Sequence, residues 1–239
     1  LSSIARLELL RKTESKVLVA TPTYAMHLAE VAREQGYETA TSTIRCVLVA
    51  GEPGGSLEAV RQQISSAWGA DVLDHAGATE IGPWGVGCLE HSGLEVIEEW
   101  FHPEFLGIST SRPAREGESA ELVLTTLGRN GCPVIRYRTG DVVHPVWPTE
   151  QEVAAGASPR VWLKGGILGR TDDMLVVRGV NIFPSAVENI IRGFPEVLEY
   201  RLTVNREELL DVLSIEIADR LSAPARIAQE LHVRLGLRV

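Results

Sequence analysis

The sequence predicts an α/β unit, made of parallel strand–helix units plus a β subdomain, followed by a small α+β C-terminal domain. Three observations carry that expectation. Apolar runs at residues 44–50 and 71–74 each lead into a glycine-containing loop, and a helical period follows the first of them. After Glu118 the pattern turns to strand-like runs. Residues 165–185 then pass from three glycines around Ile167 and Leu168, through Asp172 and Asp173, into the apolar run 174–177, which Gly179 breaks before Pro184 opens a new helix. A glycine-rich approach, paired exposed charges and a buried strand describe a joint between two packed units.

Composition narrows the function classes. A chain of 239 residues can fill one large domain or two modest ones, and 44% apolar with 23% charged residues is ordinary for a soluble globular protein. A net charge of −9 argues against non-specific nucleic-acid or membrane binding, which wants a basic face. No apolar run approaches a membrane span and no signal-peptide pattern is present. Cys46, Cys88 and Cys132 are too few and too scattered for a disulfide framework, so a reducing, cytoplasmic location is expected. The first residue is Leu1 rather than Met, and the expectation is a part of a longer product.

In chain order, residues 1–20 read as a helix and a short strand. Thr21-Pro22 supplies an N-cap and a first-turn proline for a helix with Ala25, Leu28, Ala29 and Ala32 on one face. The run 44–50 reads as a parallel strand covered on both faces, followed by Gly51-Glu52-Pro53-Gly54-Gly55-Ser56 and a helix burying Leu57, Val60, Ile64 and Ala67. That loop lies at the carboxyl end of its strand, where open α/β sheets place ligands. A second short strand, 71–74, leads into a loop His75-Ala76-Gly77-Ala78-Thr79-Glu80-Ile81-Gly82. A threonine hydroxyl there can bond a phosphate oxygen and the neighbouring carboxylate can hold Mg²⁺, although a tight turn with a solvated glutamate fits the same residues.

Signals weaken over 83–117, where Trp84, Trp100 and Phe101 read as cover for a sheet edge or pocket wall. Cys88 and His91 have a metal-like spacing, with Cys132 a possible third ligand, but no fourth stands at useful spacing. The runs 120–127 and 133–143 read as a hairpin ending in Tyr137-Arg138-Thr139-Gly140-Asp141. Asp141 suits two hydrogen bonds from vicinal ribose hydroxyls, or simply ends the strand. Residues 148–159 read as a loop. Beyond the joint, a helix at 184–193, antiparallel strands at 199–205 and 211–218, and a helix at 223–236 make a β-α-β-β-α unit.

Four stretches together resemble the adenylate-forming enzymes: Ala50-Gly51-Glu52-Pro53, Gly77-Ala78-Thr79-Glu80, Tyr137-Arg138-Thr139-Gly140-Asp141 and Gly169-Arg170-Thr171-Asp172-Asp173. Residues 133–139 and 178–184 look like the phenylacetate–CoA ligase branch. The resemblance implies ATP-dependent activation of a carboxylic acid, by its branch an aromatic one, to acyl-AMP and its transfer to CoA. Residues 1–169 would be the C-terminal part of the large AMP-binding domain, and 170–239 a small C-terminal domain that swings during the cycle.

Position by position, Gly51, Glu52, Pro53, Ala76 and Gly77 would line the adenine region. Thr79 would touch phosphate and Glu80 would bind Mg²⁺. Asp141 would hold the ribose, and Arg170 the ribose and phosphate region. Asp172 would be the hinge, Gly179 would line the pantetheine channel, and Asn181 would approach the adenylate phosphate. ATP or AMP, Mg²⁺ and CoA are the implied cofactors. Relatives usually carry an aromatic where Ala76 stands, a departure that favours a non-catalytic nucleotide-binding remnant as one alternative. A carrier protein in place of CoA is another, since both present a phosphopantetheine arm; a homodimer is a further possibility from the branch. The phosphate-gripping loop is expected before residue 1 and a catalytic lysine beyond residue 239, so the isolated chain is expected to turn over little. The turns at 51, 77 and 141 are expected to meet in one nucleotide-sized cleft.

Overall fold

Ser2 accepts the Ala5 amide at 3.3 Å and starts α1 (Ser3–Thr13), from which Leu7 enters the core. This computed structural model describes residues 1–52, 54–89, 92–108, 110–173, 175–177, 180–207 and 210–236. It divides into two compact units, Leu1–Ile167 and Leu168–Val239. The α/β class followed by α+β holds.

In the first unit, β1 (Val17–Ala20) precedes α2 (Pro22–Glu34), which Thr21 caps by accepting the Tyr24 amide at 3.3 Å. A 3-10 turn (Thr39–Thr41) leads to β2 (Cys46–Ala50), α3 (Glu58–Trp68) and β3 (Asp71–Ala78). The three strands are parallel, and Leu18, Val47 and Val72 stand in register. These side chains are buried with Ala25 and Leu28 of α2 and Val60, Ile64 and Trp68 of α3. The Trp68 indole N–H donates to the Ala25 carbonyl at 3.0 Å, so the largest apolar side chain in this core is also satisfied as a donor.

The sheet then changes direction. Strands β4 (Gly82–Gly87), β5 (Gly93–Val96), β6 (Phe101–Gly107), β7 (Ala120–Thr126), β8 (Tyr137–Val146) and β9 (Trp162–Arg170) join it in the order β1-β2-β3-β4-β5-β9-β8-β7-β6. Their inward residues, among them Trp84, Leu94, Phe101, Leu122, Leu124, Val143 and Leu163, form one core of their own.

In the second unit, β10 (Leu175–Val177) pairs antiparallel with β11 (Val180–Ile182), followed by α5 (Pro184–Arg192), β12 (Val197–Glu207), β13 (Leu210–Asp219) and α6 (Pro224–Leu235). Val187, Ile190 and Ile191 of α5 meet Ile227 and Leu231 of α6 in its core. Arg226 fastens α6 to the end of β13 through Asp219 at 2.7 Å and to the segment before β12 through Glu196 at 3.4 Å.

Several local expectations are corrected. Residues 75–78 are strand, not loop, because β4 pairs along the free edge of β3; Ala76 opposite Gly85 lets the two backbones close up. Trp84 and Phe101 are core residues rather than edge cover, 1% and 6% exposed, whereas Trp100 stays outside. The first two lie on β4 and β6, strands whose pattern acids and glycines hid. Residues 150–154 form a short helix, α4 (Glu150–Ala154), with Thr149 and Glu152 making a reciprocal capping box. The glycines at 165 and 166 belong to β9 and take positive φ (75° and 70°) within it. The second unit carries the additional strand β11, so its order is β-β-α-β-β-α.

Candidate nucleotide site

β2 ends at Ala50, opposite His75 and about 4.8 Å away as neighbouring strands are, and β3 runs on to Ala78. Gly51 makes the bend that leaves β2, at φ +87°, a conformation that a side chain would strain. Glu52 reaches back to the first turn of α2, accepting the Thr23 hydroxyl at 2.6 Å and the Thr23 amide at 3.4 Å. A carboxylate there complements the positive end of the helix. Pro53 lies outside the described residues.

On β3, Ala76 is buried in the second core and Gly77 follows it at a register shift. A Cβ on Gly77 would stand 3.1 Å from the Gly82 carbonyl oxygen and the Pro83 Cα. Thr79 and Glu80 are exposed at the turn into β4. The Arg129 guanidinium, from the loop joining β7 and β8, donates to the Glu80 carbonyl. That hydrogen bond brings the start of the Asp141 hairpin to the turn that carries Thr79 and Glu80.

Asp141 is held by its own motif. Arg138 grips the buried Glu121 of β7 with both guanidinium arms, its Nε at 3.0 Å. The Thr139 hydroxyl donates to the Leu122 carbonyl at 2.9 Å and accepts the Asp141 amide at 3.0 Å. Gly140, at φ +76°, makes the kink between them. Along the sheet, β4, β5 and β9 stand between β3 and β8.

In the second unit, Arg170 forks onto Asp172, Nε to Oδ1 at 2.9 Å and Nη2 to Oδ2 at 3.2 Å. The Arg170 hydrogen bonds hold the Asp172 carboxyl below the usual carboxylate range. Gly179 lies outside the described residues, as does His91 of the metal spacing. Asn181 is placed by its backbone alone, opposite Val176.

The structure thus brings 51 and 77 to adjacent strand ends and links the 79–80 turn to the hairpin of 141. Three surface cavities of about 480, 370 and 400 Å³ are lined by other residues: the first between α2 and α3, the second beside Phe105 and Trp147, the third beside Glu58 and Ser92. Among the described residues no group of three or more His, Cys, Asp or Glu gathers as a metal site. No helix among them is long and apolar enough to cross a membrane.

Sequence reasoning passed over Asp74. It stands in the middle of β3, accepting the Ser56 hydroxyl at 2.5 Å and the His75 amide at 2.9 Å. Gly55 and Gly166 close around this pair: a Cβ on Gly55 would lie 2.4 Å from Asp74 Oδ1, and one on Gly166 2.4 Å from Ser56 Oγ. Burial pushes the Asp74 carboxyl up, against the lowering effect of the Ser56 hydrogen bond. A half-buried titratable group beside a ligand-type loop is a candidate functional residue. Its signal was in plain view as the Gly-Gly-Ser run, but the burial depends on β9, which comes ninety residues later in rough count.

With this geometry in hand, the chain can be set beside known proteins. The fold superposes on a 2-hydroxyisobutyryl-CoA ligase captured in the postadenylation state with R3-HIB-AMP, at a TM-score of 0.87 and 27% identity, covering 99% of this chain and 52% of that one. The chain is similar to adenylate-forming acid–CoA ligases over the part that it matches. Within that class its sequence relatives are phenylacetate-coenzyme A ligases. That of Thermus thermophilus is 34% identical over 213 residues, 87% of this chain and 46% of the relative. That of Escherichia coli strain K12 is 34% identical over 215 residues, 88% of this chain and 47% of the relative. Residues 179–239 match the AMP-binding enzyme C-terminal domain family. The chain spans about half the length of the curated relatives that it matches.

Proposed function

We propose that this chain forms part of an AMP-forming acid–thiol ligase that activates a carboxylic acid, aromatic by kinship with its relatives, and passes it to CoA. The observation that carries this reading is the 34% identity to phenylacetate-coenzyme A ligase across 87% of the chain. The first unit belongs to the large nucleotide-binding domain and the second is the small C-terminal domain, with Asp172 as the pivot between them.

In the first half-reaction a carboxylate oxygen attacks the α-phosphorus of ATP, and pyrophosphate leaves with the electron pair of the broken P–O bond. In the second, the CoA thiol sulfur bonds to the acyl carbon and AMP leaves. Such chemistry asks the protein for position and charge complementarity rather than for a covalent nucleophile. Asp141, fixed by Arg138, Thr139 and Gly140, orients the ribose through its hydroxyls. The exposed Thr79 hydroxyl donates to phosphate, and Arg170 binds the ribose and phosphate region. Gly51, Glu52, Pro53, Ala76 and Gly77 border the base. Gly179 gives the pantetheine arm passage, and Asn181 faces the adenylate phosphate.

The residues present fit a Mg²⁺ ion, because Glu80 offers an unshielded carboxylate at the turn and Mg²⁺ needs only one or two carboxylates beside phosphate and water oxygens. When bound there the ion would draw negative charge off the triphosphate.

Calorimetric titration of the chain with AMP tests the reading. Binding is expected, and Asp141→Ala should weaken it roughly tenfold, about 1.4 kcal/mol. Absence of AMP binding, or affinity unchanged by that substitution, would count against the assignment. AMP binding by the chain, without pyrophosphate release when ATP and aromatic acids are supplied to the full-length enzyme, would favour a non-catalytic nucleotide-binding module.

A further inference from the structure

The connection between β7 and β8 is held at its base and free at its tip. The Thr126 amide donates to the Val134 carbonyl at 2.9 Å, and the Leu127 amide to the Trp100 carbonyl at 2.9 Å. Gly128 lies so close to Trp100 that a Cβ there would stand 2.5 Å from its ring. Arg129 then rests on the Glu80 carbonyl. Beyond that contact Asn130, Gly131 and Cys132 are exposed, and a Cβ on Gly131 would meet nothing within 4 Å. Among the described residues, neither the Asn130 carboxamide nor the Gly131 amide has a hydrogen-bond partner.

Asparagine is thermolabile, and a side chain on the following residue crowds that residue's backbone nitrogen away from the carboxamide; glycine has none. In the sequence only Asn130 precedes a glycine, whereas Asn181, Asn189 and Asn205 precede Ile182, Ile190 and Arg206. We propose that Asn130 is a site of spontaneous deamidation, and that its product loosens the hairpin tip from the turn carrying Thr79 and Glu80 and so weakens the grip of that turn on phosphate. The Gly131 backbone nitrogen gives its proton to solvent and bonds to the carboxamide carbon of Asn130. The carboxamide C–N bond breaks, and its nitrogen leaves as ammonia with a proton from solvent. Water then opens the cyclic imide at either carbonyl, giving aspartate or isoaspartate. The net change is a water consumed and an ammonia released, with no oxidant or reductant.

Either product acts on the contact next to it. The new carboxylate offers the Arg129 guanidinium a charged acceptor in place of the neutral Glu80 carbonyl, and a charge-assisted hydrogen bond is roughly twice as strong as a neutral one. Isoaspartate also routes the main chain through an extra carbon. Because Leu127 and Gly128 are pinned against Trp100, that change of path falls on Arg129. The effect on phosphate rests on the ligase reading of Thr79 and Glu80, whereas the deamidation and the loosened turn do not.

The 239-residue chain is aged in mildly alkaline buffer and sampled over days. Peptide mass spectrometry reads the replacement of NH₂ by OH at Asn130, with Asn205 in β12 as internal control, and amide hydrogen exchange reads residues 79–82. Asn130 is expected to convert while Asn205 stays intact. Gly131→Ala, for which there is room and no positive φ to strain, should slow the conversion roughly tenfold without moving the melting temperature. In the aged chain and in Asn130→Asp, residues 79–82 should exchange faster than in the fresh parent, and AMP affinity should fall roughly threefold. The proposal is overturned if Asn130 converts no faster than Asn205, or if Gly131→Ala converts as fast as the parent. It is equally overturned if exchange at 79–82 is the same in fresh, aged and Asn130→Asp chains, or if all three bind AMP with one affinity. Conversion with a loosened turn in a chain that binds no AMP, fresh or aged, would leave the modification standing and the ligase reading fallen.

Discussion

At its β1 end the large sheet is parallel, with helices on one face and apolar side chains in water on the other. At its β6 end it is antiparallel and its inward residues close round a core of their own. The contrast follows from how each is connected. Antiparallel neighbours come from hairpins and can bury one face by curling, whereas parallel neighbours depend on layers supplied from both sides. Gly51, Thr79 and Glu80 lie where the two regimes meet: Gly51 leaves the last wholly parallel strand, and Thr79 and Glu80 sit on the first antiparallel turn.

The comparison can be broken first at Trp84. Its side chain is 1% exposed in the antiparallel core, and Trp84→Ala should cost about 3–5 kcal/mol in urea unfolding. A cost below about 1 kcal/mol would mean that this core is not what holds the end together. A paired measurement sharpens it: Leu94→Ala, at a fully buried position, should cost about 2–5 kcal/mol. Leu48→Ala, on the half-open face, should cost less than about 1.5 kcal/mol in the free chain. Equal costs would show the outer face already covered.

Smaller still is the cap of α2. Thr21→Ala leaves the Tyr24 amide without its acceptor and should lower stability by about 1 kcal/mol, whereas Thr21→Ser should restore most of it. The slightest effect is a slope. Because burial raises the Asp74 carboxyl, the folded chain keeps that proton to a higher pH than the unfolded chain does. Ionisation therefore costs stability as the pH rises from the unfolded value, about 4, through the folded one. Asp74→Asn has no such cost, so the melting temperature of the variant minus that of the parent should increase between pH 4 and pH 7. A flat or falling difference would mean that the carboxyl is not held neutral.

How much of this was legible beforehand varied with how local the cause was. Helices α2, α5 and α6 could be read because proline at the first turn and apolar residues at one-face spacing act within a few residues. The pairing of β12 with β13 was legible for the same reason, since the two runs are close neighbours in sequence. Strands β4 and β5 were not, because Gly-Pro-Trp-Gly-Val-Gly becomes strand only when β3 offers an edge to it. At the candidate site, the residue types at 51, 79, 80 and 141 could be picked out from motif order. Their supports could not: Arg138 needs Glu121 across a hairpin, and Asp74 is enclosed through Gly166 of β9.

The hydrogen bond from Arg129 to the Glu80 carbonyl has a practical consequence. A hairpin tip that rests on a neighbouring bend couples their shapes, so lengthening or trimming residues 128–131 would re-aim the glutamate without touching it. Under the proposal that Glu80 holds Mg²⁺, homologous chains that differ in the length of that tip should differ in how strongly they need a divalent ion, and swapping tips between them would transfer the trait.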